Sequence, residues 1–172
     1  MLELVRKRRS IRSYLSKPIE AEKVKVLMEA ALRAPSSRDL TPWEFILVDQ
    51  RELLEKLSNS KEHGSSFLKN APLGIVICAD PARCDVWIED ASIAGAYLQL
   101  AAEFLGLGSC WIQIRQRGHS QAKTAEEYVR EVLNIPGHLK VAAIIAIGYP
   151  AEKPPLLSEV ELDWEKIHLN LY

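Results

Sequence analysis

Five cationic side chains lie within the seven residues from Arg6 to Arg12, in a chain whose 22 Lys and Arg residues nearly balance its 23 Asp and Glu residues. Guanidinium groups and a hydroxyl match phosphate oxygens, and the segment supplies both in Arg8, Arg9, Ser10 and Arg12. A solvated N-terminal arm is the alternative that composition leaves open. A nucleic-acid patch fits less well, because only Tyr14 is present to stack on a base.

The excess of positive charge is confined to this segment, because the rest of the chain is net negative. The formal net charge is -1 at pH 7, and without the five cations it would be -6. A protein with that balance has no global basic field to attract nucleic acid or a membrane surface. The cluster therefore predicts a small anionic ligand or a phosphate group rather than a polymeric partner.

A second candidate segment, RAPSSRDLTPWEF (33–45), lies between a predicted helix and a predicted strand. Two prolines stiffen it and two serines supply hydroxyl groups. A stiff polar loop is suited to binding a ligand, although a plain helix-to-strand connection is the alternative. Its candidate binding residues are Pro35, Ser36, Ser37, Arg38 and Asp39.

The third segment, GLGSCWIQ (106–113), places two glycines after a helix and before a strand. A dinucleotide-binding fingerprint needs the opposite order and a third glycine. Gly106 is instead interpreted as a helix C-cap.

Metal and nucleophile chemistry find little support in the sequence. The four histidines lack metal-ligand spacing, and the serines lack the turn context of a hydrolase nucleophile. Cys110 lies in a predicted strand, where a thiol is usually buried and inert. Three cysteines are too few for a disulfide framework and fit a reducing cytoplasm best. We therefore predict no metal site and name no catalytic side chain.

The elements that must position these residues follow from hydrophobic periodicity. Continuous apolar runs rich in strand formers predict strands at 43–48, 74–79, 109–114 and 141–148. Runs in which apolar and polar residues do not alternate indicate a sheet covered by helices on both faces. Helices are predicted at 2–8, 20–32, 50–58, 86–105 and 124–133, the last with the capping-box spacing of Thr124 and Glu127. Alternating helices and strands predict one α/β or α+β domain around a central sheet.

The helix at 86–105 is apolar nearly all the way round from Ala91 onward. Its acidic residues, Glu89, Asp90 and Glu103, argue against a membrane span. A helix of this composition requires burial on every side. It is expected either at the centre of the core or packed against a second subunit as well.

Taken together and in this order, RRSIRSY, APSSRDLTPWEF, GLGSCWIQ and AIGYPAEKPP resemble the nitroreductase family of flavoproteins in its short, single-domain form. The resemblance runs from about Arg6 to Pro155. It implies an α+β fold with a central, mainly antiparallel sheet flanked by helices, in one FMN-binding domain over residues 1–172. It also implies a homodimer with one FMN in each of two clefts at the subunit interface, so that the FMN phosphate is the anion bound by the N-terminal cations.

The resemblance assigns cofactor contacts to the first two segments. The N-terminal run matches the residues that hold the phosphate, the ribityl chain and the pyrimidine edge, with Arg8 assigned to the phosphate and Arg12 to the ring. The serine-bearing loop matches one that reaches the flavin from the partner subunit. Asp39 stands where Asn is common, and Thr41 where Gln is common. Asp39 is expected to face the ring or ribityl hydroxyls, or to pair with Arg38.

The later segments receive assignments in the same way. Trp111, Ile112 and Gln113 match the strand along the N5 side of the flavin. Gly148, Tyr149 and Lys153 match the segment after the last core strand, which usually supplies a further phosphate cation. No arginine follows in LLSEV, so Lys153 is expected to be the only late cation.

The implied activity is that of a cytoplasmic FMN-dependent oxidoreductase with NAD(P)H as co-substrate. A nitroaromatic, a quinone or a similar molecule would be the acceptor in a ping-pong reaction, and residues 115–123 are the candidate for a local substrate loop. Neither nucleic acid nor a membrane is an expected partner. A flavin- or nucleotide-binding protein without turnover, used for storage or sensing, is the alternative.

Overall fold

The computed structural model describes residues 1–156, 158 and 162–172. Within these residues, five α-helices are α1 (Leu2–Lys7), α2 (Ala21–Leu32), α3 (Arg51–Ser58), α4 (Trp87–Phe104) and α5 (Ala125–Leu133). Six strands are β1 (Trp43–Val48), β2 (Leu73–Ala79), β3 (Gly108–Gln113), β4 (Gly118–Ser120), β5 (Lys123–Thr124) and β6 (Lys140–Gly148). Short 3-10 turns cover Ser37–Asp39, Ser66–Asn70 and Trp164–Lys166.

The central sheet has the strand order β1–β2–β6–β3, and every neighbouring pair is antiparallel. This pairing decides between the two classes that periodicity left open, in favour of α+β. All residues of β2 are buried, as its continuous apolar run predicts for a central strand covered on both faces.

Helices cover both faces of the sheet, as predicted. On one face, α2 and α4 pack over β2 and β6 through residues such as Leu27, Leu98 and Ile145. On the other face, α3 and α5 pack through Leu57 and Val129. The core is therefore split into two apolar layers, with the sheet between them.

The start of α5 is fixed by the predicted capping box. The Thr124 hydroxyl accepts a hydrogen bond from the Glu127 backbone N–H at 3.1 Å, and the Glu127 carboxylate accepts one from the Thr124 N–H at 2.8 Å. The segment before it, predicted as a loop, contains the short β4–β5 hairpin. Its strands are only three and two residues long, which is too short for a periodic signal.

Helix α4 is buried on one side only in the single chain. Leu98 and Ala102 are fully buried, but Ile93, Tyr97 and Phe104 are 37%, 41% and 70% exposed. These three residues recur at spacings of four and seven and so share one helix face. The expected burial on every side is not provided by this chain alone. No helix in the described part of the chain is long and apolar enough to cross a membrane.

Candidate active site

The N-terminal cluster lies along the outer edge of β3. After α1 ends, Ser10 forms a bridge with Ser109, and the Ile11 N–H donates to the Ser109 carbonyl at 2.9 Å. Gly108 permits this approach, because a Cβ at that position would lie 2.7 Å from the Ile11 side chain. The structure thus brings two of the three predicted segments into contact.

Beyond Ser109, the outer edge of β3 is not paired with another strand in the described residues. Ser109 presents its carbonyl outward, and every second residue of an extended strand does the same. Trp111 and Gln113 therefore present their backbone groups at this edge, whereas the backbone of Ile112 faces β6. Unpaired backbone N–H groups at a fixed edge are available as hydrogen-bond donors to a ligand.

The side chains of these strand residues are engaged inside the protein. Trp111 packs against α4 at Gly95, where a Cβ would come within 2.4 Å of the indole ring. The indole N–H donates to the Gln113 side-chain oxygen at 2.9 Å, and the Gln113 amide donates to the Arg115 carbonyl. Ile112 is fully buried. Trp111 and Gln113 are half-buried, so this strand offers a ligand chiefly its outward backbone groups.

Positive charge gathers around Cys110, which is buried in β3. Burial raises the pKa of this thiol, and the charge of Arg12, a hydrogen bond with Ser10, and the charges of Lys61 and Arg8 oppose the rise. Arg8 and Arg12 of the N-terminal segment and the distant Lys61 thus act electrostatically on one strand position. Lys61 was not a sequence candidate, because a lone lysine after a helix carries no motif.

Arg12 is held by its backbone, and its guanidinium group has no acidic partner within the part of the chain that the structure describes. The N–H groups of Arg12 and Ser13 donate to one Glu152 carboxylate oxygen at 2.5 and 2.9 Å. The guanidinium group lies 6.0 Å from the centre of the Phe67 ring. Glu152 and Phe67 are two further residues of this region that no sequence motif marked.

The predicted loop is anchored by a buried carboxylate. The Ser37 N–H donates to Asp90 at 2.9 Å, the Cys84 thiol donates to the second Asp90 oxygen at 3.2 Å, and Asp90 is only 2% exposed. Within the loop, the Ser36 hydroxyl accepts from the Thr41 N–H at 3.0 Å. Asp90 was noted in the sequence only for its charge, and its partners are 53 and 6 residues away.

The structure of the loop also shows which acidic residue pairs with Arg38. Arg38 forms an ion pair with Asp85, so the expected alternative in which Asp39 pairs with Arg38 is wrong. Arg38, Asp39 and Thr41 have positive φ values of 52°, 55° and 42°. Residues other than glycine rarely adopt such values. Asp39 and Pro35 are exposed. The strained backbone turns these polar groups toward solvent at the start of α4.

The late candidates have different surroundings. Gly148 is buried, and a Cβ there would lie 2.5 Å from Pro72. The Tyr149 hydroxyl donates to Glu20 at 2.5 Å and accepts from Lys23 at 2.9 Å, so this side chain ties β6 to α2. Lys153 is exposed and follows directly after Glu152, the residue that binds the N-terminal segment.

The N-terminal arginines and the serine loop lie at opposite ends of α4, whereas Trp111 lies beside the middle of the helix at Gly95. The N-terminal cluster contacts Gly108 and Ser109, which follow the end of the helix, whereas the serine loop is bound to Asp90 in its first turn. Asp90 and Phe104 are separated by about 21 Å along the axis at 1.5 Å per residue. One protomer therefore does not bring the arginines and the serine loop together.

A cavity in the described part of the chain lies beside this region rather than in it. Its volume is about 660 Å³, and it is lined by the segment from Arg12 to Ile19, the start of α3 and the turn before β2. Arg12 is its link to the cationic cluster, and no residue of β3 lines it. No group of histidine, cysteine and carboxylate side chains suited to a metal ion occurs among the described residues.

Comparison with known proteins places this arrangement in a family. The model of the Nitroreductase family matches residues 5–64 and 52–149. The structure of an FMN-dependent nitroreductase from Clostridium difficile R20291 is 49% identical, with a TM-score of 0.98 and 100% coverage of both chains.

Curated relatives give the same result. A candidate NADH dehydrogenase/NAD(P)H nitroreductase of Methanothermobacter thermautotrophicus is 36% identical over 173 residues, which span 99% of this chain and 86% of the relative. An FMN reductase of Bacillus subtilis is 29% identical over 186 residues, spanning 94% of this chain and 72% of the relative. The fold, the order of its segments and these matches agree: the chain belongs to the nitroreductase family.

Proposed function

We propose that the protein is an FMN-dependent oxidoreductase that takes electrons from NAD(P)H and passes them to a nitroaromatic, quinone or similar acceptor. The observation that carries the proposal is the line of cations beside the outer edge of β3, which have no acidic partner among residues 1–156, 158 and 162–172. Relatives described as an FMN-dependent nitroreductase and as an FMN reductase support the cofactor. A relative described as an NADH dehydrogenase/NAD(P)H nitroreductase supports the electron donor.

The residues present fit the anionic part of FMN. Among the described residues, no carboxylate lies within 4.0 Å of the side-chain nitrogens of Arg8, Arg9 or Arg12, although nine ion pairs of that length occur elsewhere. Guanidinium groups without acidic partners are available to phosphate oxygens. Arg8 and Ser10 are half-buried, so their bonds to a phosphate would be screened by water only in part.

The opposite end of the cluster fits the ring. Arg12 lies beside Phe67 and next to β3, where a cation would stabilise negative charge on the pyrimidine edge. The outward backbone groups of Trp111 and Gln113 would donate along the N5 side. Bound FMN would supply the hydride-transfer chemistry. The chain provides position and charge, and we assign no catalytic side chain.

We propose further that the active site is shared by two protomers. The serine loop and the N-terminal arginines lie at opposite ends of α4, so a two-fold related copy offers a way to bring the loop residues Pro35 to Asp39 to the cofactor. The exposed face of Ile93, Tyr97 and Phe104 is suited to such contact, since apolar helix faces favour burial. We assign Lys153 to the phosphate from the family resemblance, and its neighbour Glu152 binds the backbone of Arg12 and Ser13 in the N-terminal segment.

Steady-state kinetics test the activity. NADH and NADPH oxidation is measured in the presence of a nitroaromatic or quinone acceptor, with both substrates varied. Parallel double-reciprocal lines are expected, because the nicotinamide leaves before the acceptor binds. Intersecting lines would contradict the ping-pong order. A flavin-loaded protein that oxidises neither nucleotide would instead support a storage or sensing role.

A further inference from the structure

The cations beside β3 extend further than the cofactor requires. The His119 Nδ1 lies 2.9 Å from the Asn59 carbonyl, which brings the loop containing Lys61 close to the turn containing Arg117. Phe67, which follows in the same loop, lies 6.0 Å from the Arg12 guanidinium group. Arg8, Arg12 and Lys61 all act electrostatically on the Cys110 thiol, and Arg117 acts on Lys61. We call these four residues the cationic strip. It runs from the segment after α1 to the turn after β3, where the Arg117 N–H donates to the Ile114 carbonyl at 3.1 Å.

Lys61 is held in place by a closed loop. The Ser65 hydroxyl donates to the Ser58 carbonyl at 2.8 Å and lies 3.3 Å from the Lys61 carbonyl, and Ser65 is 1% exposed. The Lys61 ammonium group lies over Gly64, 3.6 Å from where a Cβ would be, and Gly64 has a φ of 79°. A side chain at Gly64 would therefore be strained by the backbone and would contact the lysine.

Lys61 has no acidic partner in the described part of the chain. Its neighbour Glu62 lies 3.8 Å from His63 instead, and no carboxylate in the described residues comes within ion-pair distance of Lys61. The ammonium group is half-buried, and burial together with the charge of Arg117 lowers its pKa. Two neighbouring cations that repel each other and lack an acid are stabilised when an anion binds between them.

Lys61 and Arg117 lie away from the phosphate end of the proposed site. In the proposed site, Arg8 and Lys153 take the phosphate and Arg12 takes the pyrimidine edge, which leaves Lys61 and Arg117 unassigned. Arg117 lies four residues beyond Gln113, on the side of the strip away from Arg8. That side adjoins the backbone of Gln113, which is assigned to the N5 side where a second substrate must react.

We propose that Lys61, supported by Arg117, is a specificity-determining residue that favours electron acceptors bearing a carboxylate over neutral acceptors of the same shape. The inference rests on the proposed function and names the acceptor class for the same site. A carboxylate on the acceptor would lie against the ammonium group while the reducible group faces the flavin. Charge-assisted bonds of this kind exceed neutral ones in strength.

The test compares 4-nitrobenzoate with 4-nitrobenzamide, which have similar shapes and differ in charge. Their intrinsic reactivities differ, so the quantity of interest is the ratio of their kcat/KM values in a variant relative to that ratio in the wild type. Lys61→Gln should lower the ratio about tenfold, as expected for one partly exposed charge-assisted bond. Lys61→Arg should keep the preference, and so should Lys56→Gln, which removes an exposed lysine from α3.

A second readout avoids turnover. Benzoate and benzamide are titrated into the flavin-loaded protein, and the shift of the flavin absorbance gives each dissociation constant. Benzoate should bind more tightly than benzamide in the wild type, and Lys61→Gln should remove that difference. Because benzoate cannot be reduced, this arm reports on Lys61 even if nitroaromatic turnover fails.

Four results would overturn the inference. An unchanged ratio in Lys61→Gln, with FMN content and activity intact, would remove Lys61 from acceptor selection while leaving the proposed function standing. Loss of FMN from Lys61→Gln would assign the residue to the cofactor. An increase in KM confined to NADPH, with NADH and both acceptors unaffected, would assign it to the nucleotide phosphate. A wild-type protein that takes up no FMN would refute the function and the inference together.

Discussion

The Asp90 carboxylate accepts a hydrogen bond from the Ser37 backbone N–H at 2.9 Å, although 53 residues separate them in the sequence. Its other oxygen accepts from the Cys84 thiol. A buried carboxylate is tolerated where its oxygens are bonded, and its place in the first turn of α4 adds the favourable effect of the helix dipole. Asp90 therefore holds the serine loop in position from behind and is a positioning residue.

Asp90→Ala should destabilise the protein by about 1–3 kcal/mol, because it leaves the Ser37 N–H without a partner. It should also weaken FMN binding by loosening the loop, while Asp90→Asn, which keeps one acceptor oxygen, should have a smaller effect. Urea unfolding and FMN fluorescence titration measure the two quantities. Glu89→Ala, at an exposed position in the same turn, is the control. Equal FMN affinity in Asp90→Ala and wild type would show that the serine loop does not contribute to FMN binding.

The double variant Arg8→Ala/Arg12→Ala should release FMN and leave the fold intact. Each charge-assisted bond contributes roughly 1.5–3 kcal/mol when partly desolvated, so FMN affinity should fall about 100-fold or more. The matched control is Arg6→Ala/Lys7→Ala, which removes the same charge from exposed positions of the same segment. FMN retained as tightly by the first variant as by the control would show that the site is misplaced.

Gly95→Ala should destabilise the protein by about 1–3 kcal/mol through overpacking. Its Cβ would lie 2.4 Å from the Trp111 ring and 3.1 Å from Ile77, which forces β3 away from α4. Gly118→Ala is the control, since the nearest atom to its Cβ is 4.0 Å away. Thermal unfolding compares the two. Equal unfolding temperatures in the two variants would contradict the prediction, because they would mean that the Trp111 ring moves aside at little cost.

Tyr149→Phe should alter the pH dependence of stability in acid. The hydrogen bond from Tyr149 is the largest cause that lowers the pKa of Glu20 from 4.5 to about 2. A depressed carboxylate pKa stabilises the folded state above the unfolded pKa, and this contribution disappears as the pH falls from 4.5 toward 2. The variant should lose less stability than wild type over that interval. Urea unfolding at several pH values measures it, with Tyr172→Phe, at a tyrosine that is exposed in the single chain, as the control.

The fold was largely predictable because its signals are local. The continuous apolar runs of β2 and β6 indicated central strands, and Thr124 with Glu127 marked the start of α5. Strand direction was not accessible in this way, because periodicity does not distinguish parallel from antiparallel neighbours. The family resemblance supplied that information, and the pairing confirms it.

The candidate site was predictable only where motifs are contiguous. The arginine run and the segment of β3 were identified and lie together. Asp90, Lys61, Glu152 and Phe67 were missed as site residues, because each acts through a contact that only tertiary packing creates. For the same reason, the sequence could not show that Arg38 pairs with Asp85 rather than with its neighbour Asp39. Adjacent residues do not pair when the backbone turns their side chains apart.

The central claim is that this chain binds FMN through the arginines beside β3. The visible absorption spectrum of the purified protein, recorded after incubation with excess FMN and removal of the free cofactor, tests it most directly. The account predicts flavin bands retained with about one FMN per chain, the stoichiometry of a cofactor shared at a two-fold interface. A protein that leaves the column colourless, with all FMN in the small-molecule fraction, would contradict it.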